Sequence, residues 1–224
     1  MDRAAAQERS LVRSDLTTLL SLSGPVVISR LDIMAMGLCD AIVVGNYSAK
    51  HLGYHALGWA PTSVVLTMMV GLLSGVQVMT ARRIGEGRRD LTGAVLRRGL
   101  VYAFWIGIVS TALLLAAGPA FLHAIGLEPD LADGATRALL VFSLSLPGYA
   151  MSVTASFWLE GLSRPGPGAW AMWAANVVNL GLLLLVPGAF GLPALGAIGG
   201  AWAEAFEATA ERRASSRLVL PWST

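Results

Sequence analysis

The sequence predicts an all-α, polytopic integral membrane helix bundle, and three observations carry that prediction. Hydrophobic residues make up 55% of the chain and charged residues only 13%, about half the ~25% charge of a soluble domain. The mean hydropathy is +0.63 over 224 residues. The apolar residues also gather into runs long enough to cross a bilayer, which takes ~20 residues each. These properties weigh against a soluble enzyme, a nucleic-acid binder and a disordered regulator. A chain of this length accommodates about six spans.

Residues 1–15 are of mixed charge and lack the apolar core and cleavage site of a signal peptide. They read as a cytoplasmic N-terminal segment, with Ser14 or Asp15 as a helix N-cap. The first span, residues 16–45, is longer than one crossing needs and predicts a tilt or a kink at Pro25. The second span is placed at residues 56–81, the third at 95–117, the fourth at 136–159 with Pro147 inside it, and the fifth at 169–186. A sixth opens in the Gly- and Ala-rich stretch 196–203 and then meets Glu204, Glu207, Glu211, Arg212, Arg213 and Arg217. Each charge near a helix centre costs ~2.5–3.5 kcal/mol on insertion, so this stretch does not read as an ordinary span. The expected organisation is one bundle over residues 16–203 and an atypical charged tail over 204–224.

Orientation follows from the arginines. The connection after span two holds Arg82, Arg83, Arg88, Arg89, Arg97 and Arg98 against Glu86 and Asp90. The connection after span three is acidic, with Glu128, Asp130 and Asp133. The positive-inside bias therefore puts the N-terminus and the arginine loop in the cytoplasm and the acidic loop outside. The expected location is the plasma (inner) membrane, with lipid as the surrounding partner and no nucleic acid. The arginine loop reads first as a solvated topology determinant.

Ionisable groups inside a span are functional hypotheses, because a charge in hydrocarbon is costly unless it faces a cavity or a partner. The first span carries Arg30, Asp32 and Asp40. At 100° per residue, Asp32 and Asp40 lie about 80° apart on one broad face, and Arg30 is an adjacent-turn partner to neither. Asp40 sits among Met36, Leu38, Cys39, Ile42 and Val43. Desolvation favours the protonated form of a carboxylate, which suits a proton-coupled site; with oxygen partners the same group would hold Na⁺. The structural alternative is a carboxylate that only fixes helix packing. Asn176 and Asn179 share a face of span five and suit a polar cavity, because interhelical polar contacts alone contribute only ~0.6 kcal/mol. Gln77 reads as a packing residue. His51 and His55 have zinc-helix spacing but no accompanying glutamate, and are placed in a short external connection. A single cysteine, Cys39, makes neither a disulfide nor a Cys-based metal site. No catalytic triad, metal site or cofactor is expected, and an enzyme is the weaker class.

An ordered series of segments then resembles the N-terminal half of a multidrug and toxic compound extrusion (MATE) transporter. It runs from Gly24-Pro25 through Ala35-Met36-Gly37-Leu38-Cys39-Asp40, Gly71-Leu72-Leu73-Ser74-Gly75 and Gly85-Glu86-Gly87-Arg88-Arg89. It continues with Leu146-Pro147-Gly148-Tyr149, Leu159-Glu160-Gly161-Leu162-Ser163 and Phe190-Gly191-Leu192-Pro193-Ala194-Leu195-Gly196. The resemblance covers about residues 16–203. It implies two six-helix lobes around a central cavity and export of drugs or organic cations in exchange for H⁺ or Na⁺. Asp40 matches the family's span-one coupling aspartate, and Asn179 approximately matches its span-five asparagine. Many relatives carry Asp or Asn one turn later, where this chain has Leu183. Arg30 and Asp32 occupy positions that are usually uncharged in the family.

The candidate transport residues are therefore Asp40, Asn179, Asn176 and Asp32, with H⁺ or Na⁺ as the coupling ion and drugs or organic cations as cargo. The second lobe is absent from the sequence, and a frameshift or early stop within span six would give this pattern. The expected activity is a truncated N-lobe with impaired or no transport alone. The alternatives are a half-transporter acting as a homodimer, a related flippase for lipid-linked substrates, and a membrane-embedded enzyme.

Overall fold

The computed structural model describes residues 34–164 and 166–183, together with Gly24, Val27 and Leu31. Arg30, Asp32, the expected kink at Pro25 and the sixth span lie outside the described residues. Among those described, every regular element is helical. They are α1 (Met34–Tyr47), α2 (Ala49–Leu73), α3 (Gly75–Gly85), a 3₁₀ turn (Arg89–Leu91), α4 (Thr92–Ala124), α5 (Pro129–Gly161) and α6 (Gly166–Leu182). Three helical rods are long and apolar enough to cross a membrane: Ala49–Gly85, Arg89–Ala124 and Pro129–Gly161.

The corner between α1 and α2 is one residue long. Ser48 takes an extended conformation (φ −167°, ψ 131°), while Leu52 N–H donates to its carbonyl at 3.0 Å and starts the next helix. This corrects the expected external connection around His51 and His55, which instead form part of the first two turns of α2. No proline interrupts residues 49–60, so the helix begins as soon as Ser48 has turned the chain.

The second span also differs from one uninterrupted helix. It breaks at Ser74, whose Oγ donates to Gly71 O at 2.7 Å, and resumes as α3. A hydroxyl that bonds back to the preceding turn, between Gly71 and Gly75, is a recognised cause of helix bending. The rod of 37 residues is about 55 Å long at 1.5 Å per residue, well beyond the ~30 Å hydrocarbon layer. Its surplus length carries Arg82 and Arg83 clear of the apolar zone. The chain then turns through Gly87, whose φ of +73° is the left-handed conformation that glycine adopts without strain.

The centre of the bundle is α5, packed between α4 and the α2–α3 rod. Small residues permit this closeness. Gly58 of α2 sits against the backbone of Ala135 and Leu139, and Gly107 of α4 against the backbone of Pro147. Gly161 of α5 sits against Thr80 and the Gln77 carbonyl of α3. Such close approach suits membrane helices, where packing substitutes for a hydrophobic driving force. Met69, Leu73, Leu114, Leu122, Leu139, Leu146 and Phe157 fill the main core, and Leu96, Trp158 and Leu159 a second one. Two long-range hydrogen bonds tie α4 to α5: Thr111 Oγ1 to Ser143 O at 2.7 Å and Trp158 Nε1 to Thr92 O at 2.9 Å.

The outer face of α4 carries Val101, Tyr102, Trp105, Val109 and Leu113, all exposed. In water such an apolar face would be a liability, which a bilayer removes.

Candidate functional site

Asp40 is 1% exposed, in a helix whose Met34, Leu38 and Ile42 are all more than half exposed. The carboxylate therefore turns into the protein and the apolar side chains turn outward. One turn further along α1, Val44 is fully buried and shares a small apolar cluster with Leu183, at the end of α6, flanked by Val43 and Leu52. Asn179 is 1% exposed and lies one turn before Leu183.

These contacts place Asp40 and Asn179 at a common level. Helix direction alternates along the chain, so α1 and α6 run parallel. Asp40 precedes Val44 by four residues, Asn179 precedes Leu183 by four, and Val44 and Leu183 pack together. Two buried oxygen-bearing side chains thus stand one turn below a shared apolar plug. Asn176, three residues earlier, is half-buried on the same side of α6. Asp40, Asn176 and Asn179 each have an interaction partner within the chain. Leu183 contributes hydrocarbon at this point. Of the four candidates, Asp40, Asn179 and Asn176 fall on the two helices that meet here; Asp32 lies outside the described residues.

Sequence reasoning missed a second polar and aromatic set between α2 and α5. His55 is buried with its ring edge-on to Phe142 at 5.2 Å, and Trp59 meets the same ring at 5.4 Å. At the same end of the bundle, Asp130 accepts from Lys50 at 2.5 Å and from the Tyr54 hydroxyl at 2.7 Å. The signal available was the i, i+4 spacing of Lys50 and Tyr54 beside that of His51 and His55, which together mark a helix rather than a loop. The acidic residues after α4 are exposed but partnered: Asp130 is paired, and Asp133 lies 3.4 Å from His123.

Residues 25–185 match the MatE family model. The chain belongs to the MatE family. A probable multidrug resistance protein, NorM, of Caulobacter vibrioides is 66% identical over 203 residues, which cover 90% of this chain and 43% of that protein. The multidrug resistance protein MdtK of Yersinia enterocolitica is 31% identical over 186 residues, covering 81% and 40%. Among solved structures, a MATE protein in the bent conformation superimposes with a TM-score of 0.82 at 19% identity, over 90% of this chain and 44% of that one. An outward-facing multidrug resistance MATE family transporter gives 0.80 at 19% identity, over 90% and 44%. At that identity the structural likeness establishes the fold. This MatE chain thus spans under half the length of the curated relatives it matches, and corresponds to an N-terminal half of a transporter fold. It is a membrane protein of a transporter family.

Proposed function

We propose that this MatE chain forms the N-terminal lobe of a secondary antiporter that exports drugs or organic cations in exchange for H⁺ or Na⁺. It would sit in the plasma (inner) membrane with its N-terminus and arginine loop cytoplasmic. Asp40 is the coupling group, Asn179 a candidate polar partner at the same level and Asn176 part of the same polar wall. The observation that carries this reading is the burial of Asp40 and Asn179 at one level beside the Val44–Leu183 contact. A carboxylate turned away from lipid, in a helix otherwise apolar on its outer side, faces a protein partner or a cavity, and such intramembrane groups are where ion and proton pathways run. The arrangement supports transport chemistry.

The remainder of the cavity comes from a second lobe, supplied either by the rest of a longer chain or by a second copy of this one. The test is ethidium or fluoroquinolone efflux from a sensitive host. The chain is expressed alone and with the C-terminal half of the Caulobacter relative, each as wild type and as Asp40→Asn. Efflux that Asp40→Asn abolishes supports the reading, and efflux by the chain alone supports the homodimer. If neither wild-type arrangement pumps, or if Asp40→Asn pumps as well as wild type, the carrier reading of this chain fails.

A further inference from the structure

The arginine-bearing end of the α3–α4 hairpin carries more positive charge than the described residues neutralise. Glu86 accepts from both Arg82 Nε at 2.9 Å and Arg83 at 3.0 Å, so that carboxylate is fully engaged. Arg88, Arg89, Arg97 and Arg98 are exposed, and none forms an ion pair among the described residues. Asp90 is the only other carboxylate between residues 82 and 98. Four guanidinium groups therefore face one carboxylate within eleven residues.

Their placement is as informative as their number. Thr92 Oγ1 donates to Arg89 O at 2.7 Å and fixes the 3₁₀ turn at the start of α4. Arg97 and Arg98 follow in the next turns. From Arg98 the outward face of α4 continues through Tyr102 to Trp105, and from Arg97 through Val101 to Trp105 and Val109. Arg98 and Trp105 are about 10 Å apart along the helix at 1.5 Å per residue. One helix face thus presents guanidinium groups at its end, then a phenol and an indole, then aliphatic side chains. That sequence of chemistries matches a phospholipid read from headgroup to acyl chain. A topology signal alone needs positive charge near the span but does not need it aligned with this stripe.

We propose that this end of the α3–α4 hairpin binds an anionic phospholipid, its phosphate held by Arg88, Arg89, Arg97 and Arg98 and its acyl chains lying along Tyr102, Trp105 and Val109. Guanidinium forks suit phosphate oxygens, and the N-terminal end of α4 adds partial positive charge. The site stands apart from Asp40 and does not depend on the transport reading.

The experiment uses the full chain in phosphatidylcholine nanodiscs containing a minor fraction of acyl-brominated phosphatidylglycerol, or of acyl-brominated phosphatidylcholine at the same fraction. Tryptophan quenching by the brominated phosphatidylglycerol is expected to exceed that by brominated phosphatidylcholine several-fold. Trp105→Phe should remove most of that excess. The Arg88→Gln/Arg89→Gln/Arg97→Gln/Arg98→Gln variant should bring the ratio to about one, with helical content checked by circular dichroism. Arg97→Gln/Arg98→Gln serves if the quadruple variant fails to fold. Arg97→Lys/Arg98→Lys should retain part of the excess, and Arg137→Gln, at the opposite end of the bundle, all of it. Equal quenching by the two lipids in wild type overturns the proposal, as does an excess that survives the arginine substitutions or Trp105→Phe. Loss of the excess on adding inorganic phosphate at constant ionic strength would assign the arginines to a free anion and overturn it equally.

Discussion

Replacing Gly107 by alanine should loosen the central helix pair, and its cost can be worked from the contact geometry. A Cβ at this position would lie 2.5 Å from Pro147 Cα and 3.0 Å from Pro147 N, where ordinary contact begins near 3.4 Å. Both atoms are backbone, so no side chain can swing aside. The helices must part locally by about 1 Å, and overpacking of this kind typically costs ~1–3 kcal/mol. One turn along the same pair, Thr111 Oγ1 donates to Ser143 O at 2.7 Å. Separation by about 1 Å takes that bond past useful length and forfeits roughly 1 kcal/mol more. Against this, alanine gains about 1 kcal/mol over glycine in helix propensity. The net expectation is a loss of ~1–3 kcal/mol. Gly71→Ala is the matched control, because nothing lies within 4 Å of its added Cβ; it should be neutral or gain up to about 1 kcal/mol. Denaturant unfolding of both variants in the same detergent, followed by tryptophan fluorescence, measures the difference. If Gly107→Ala is as stable as Gly71→Ala, the close α4–α5 crossing described above is wrong.

Two further outcomes follow from single contacts. Trp158→Phe removes the bond to Thr92 O while that carbonyl keeps its helical partner, so it should cost ~0.5–1.5 kcal/mol in the same unfolding assay. At the arginine turn, the Arg82 hydrogen bond, with help from Arg83, holds Glu86 below its ordinary value of 4.5. A carboxyl whose folded pKa is lowered contributes stability above its unfolded value and loses it as pH falls through the folded one. Hydrogen-exchange protection of Gly87 and Arg88, which donate to Ile84 O and Arg83 O, should therefore fall as the pH drops below about 4.5. Glu86→Gln should remove that dependence.

The sequence revealed the spans and the buried acid because both signals are local. A run of apolar residues reports a membrane helix wherever it sits, and Asp40 stands out inside one. The pairing of Asn176 with Asn179 was legible from their spacing alone, and the structure separates them into a half-buried and a fully buried residue. What stayed hidden depends on neighbours distant in sequence. Hydropathy is insensitive to a corner such as Ser48, so it starts the second span at residue 56 rather than Ala49 and leaves His51 and His55 in a connection. Nor does composition distinguish α5 as the central helix. Its buried face includes Ala132, Ala135, Ala138 and Ala150, which look unremarkable until Gly58 and Gly107 of the neighbouring helices are seen to pack against α5.

The choice of coupling ion turns on Leu183. A hard cation such as Na⁺ requires several oxygen ligands in place of its water, whereas a proton needs only one acceptor in a site that can release it. Beside Asp40, the Val44–Leu183 contact occupies with hydrocarbon the position where an acid or amide would add an oxygen. Asn179 supplies one carbonyl oxygen, and Asn176 is only half-buried. Within the proposed antiporter, hydrocarbon in place of an oxygen at Leu183 favours proton exchange at Asp40. Efflux should then persist when Na⁺ is replaced by K⁺ at constant pH and collapse on adding a protonophore. Leu183→Asn, which adds an oxygen one turn from Asn179, should make efflux more sensitive to Na⁺. Wild-type efflux that stops without Na⁺ and resists the protonophore would refute the proton reading, and would require oxygen ligands from outside the Val44–Leu183 contact.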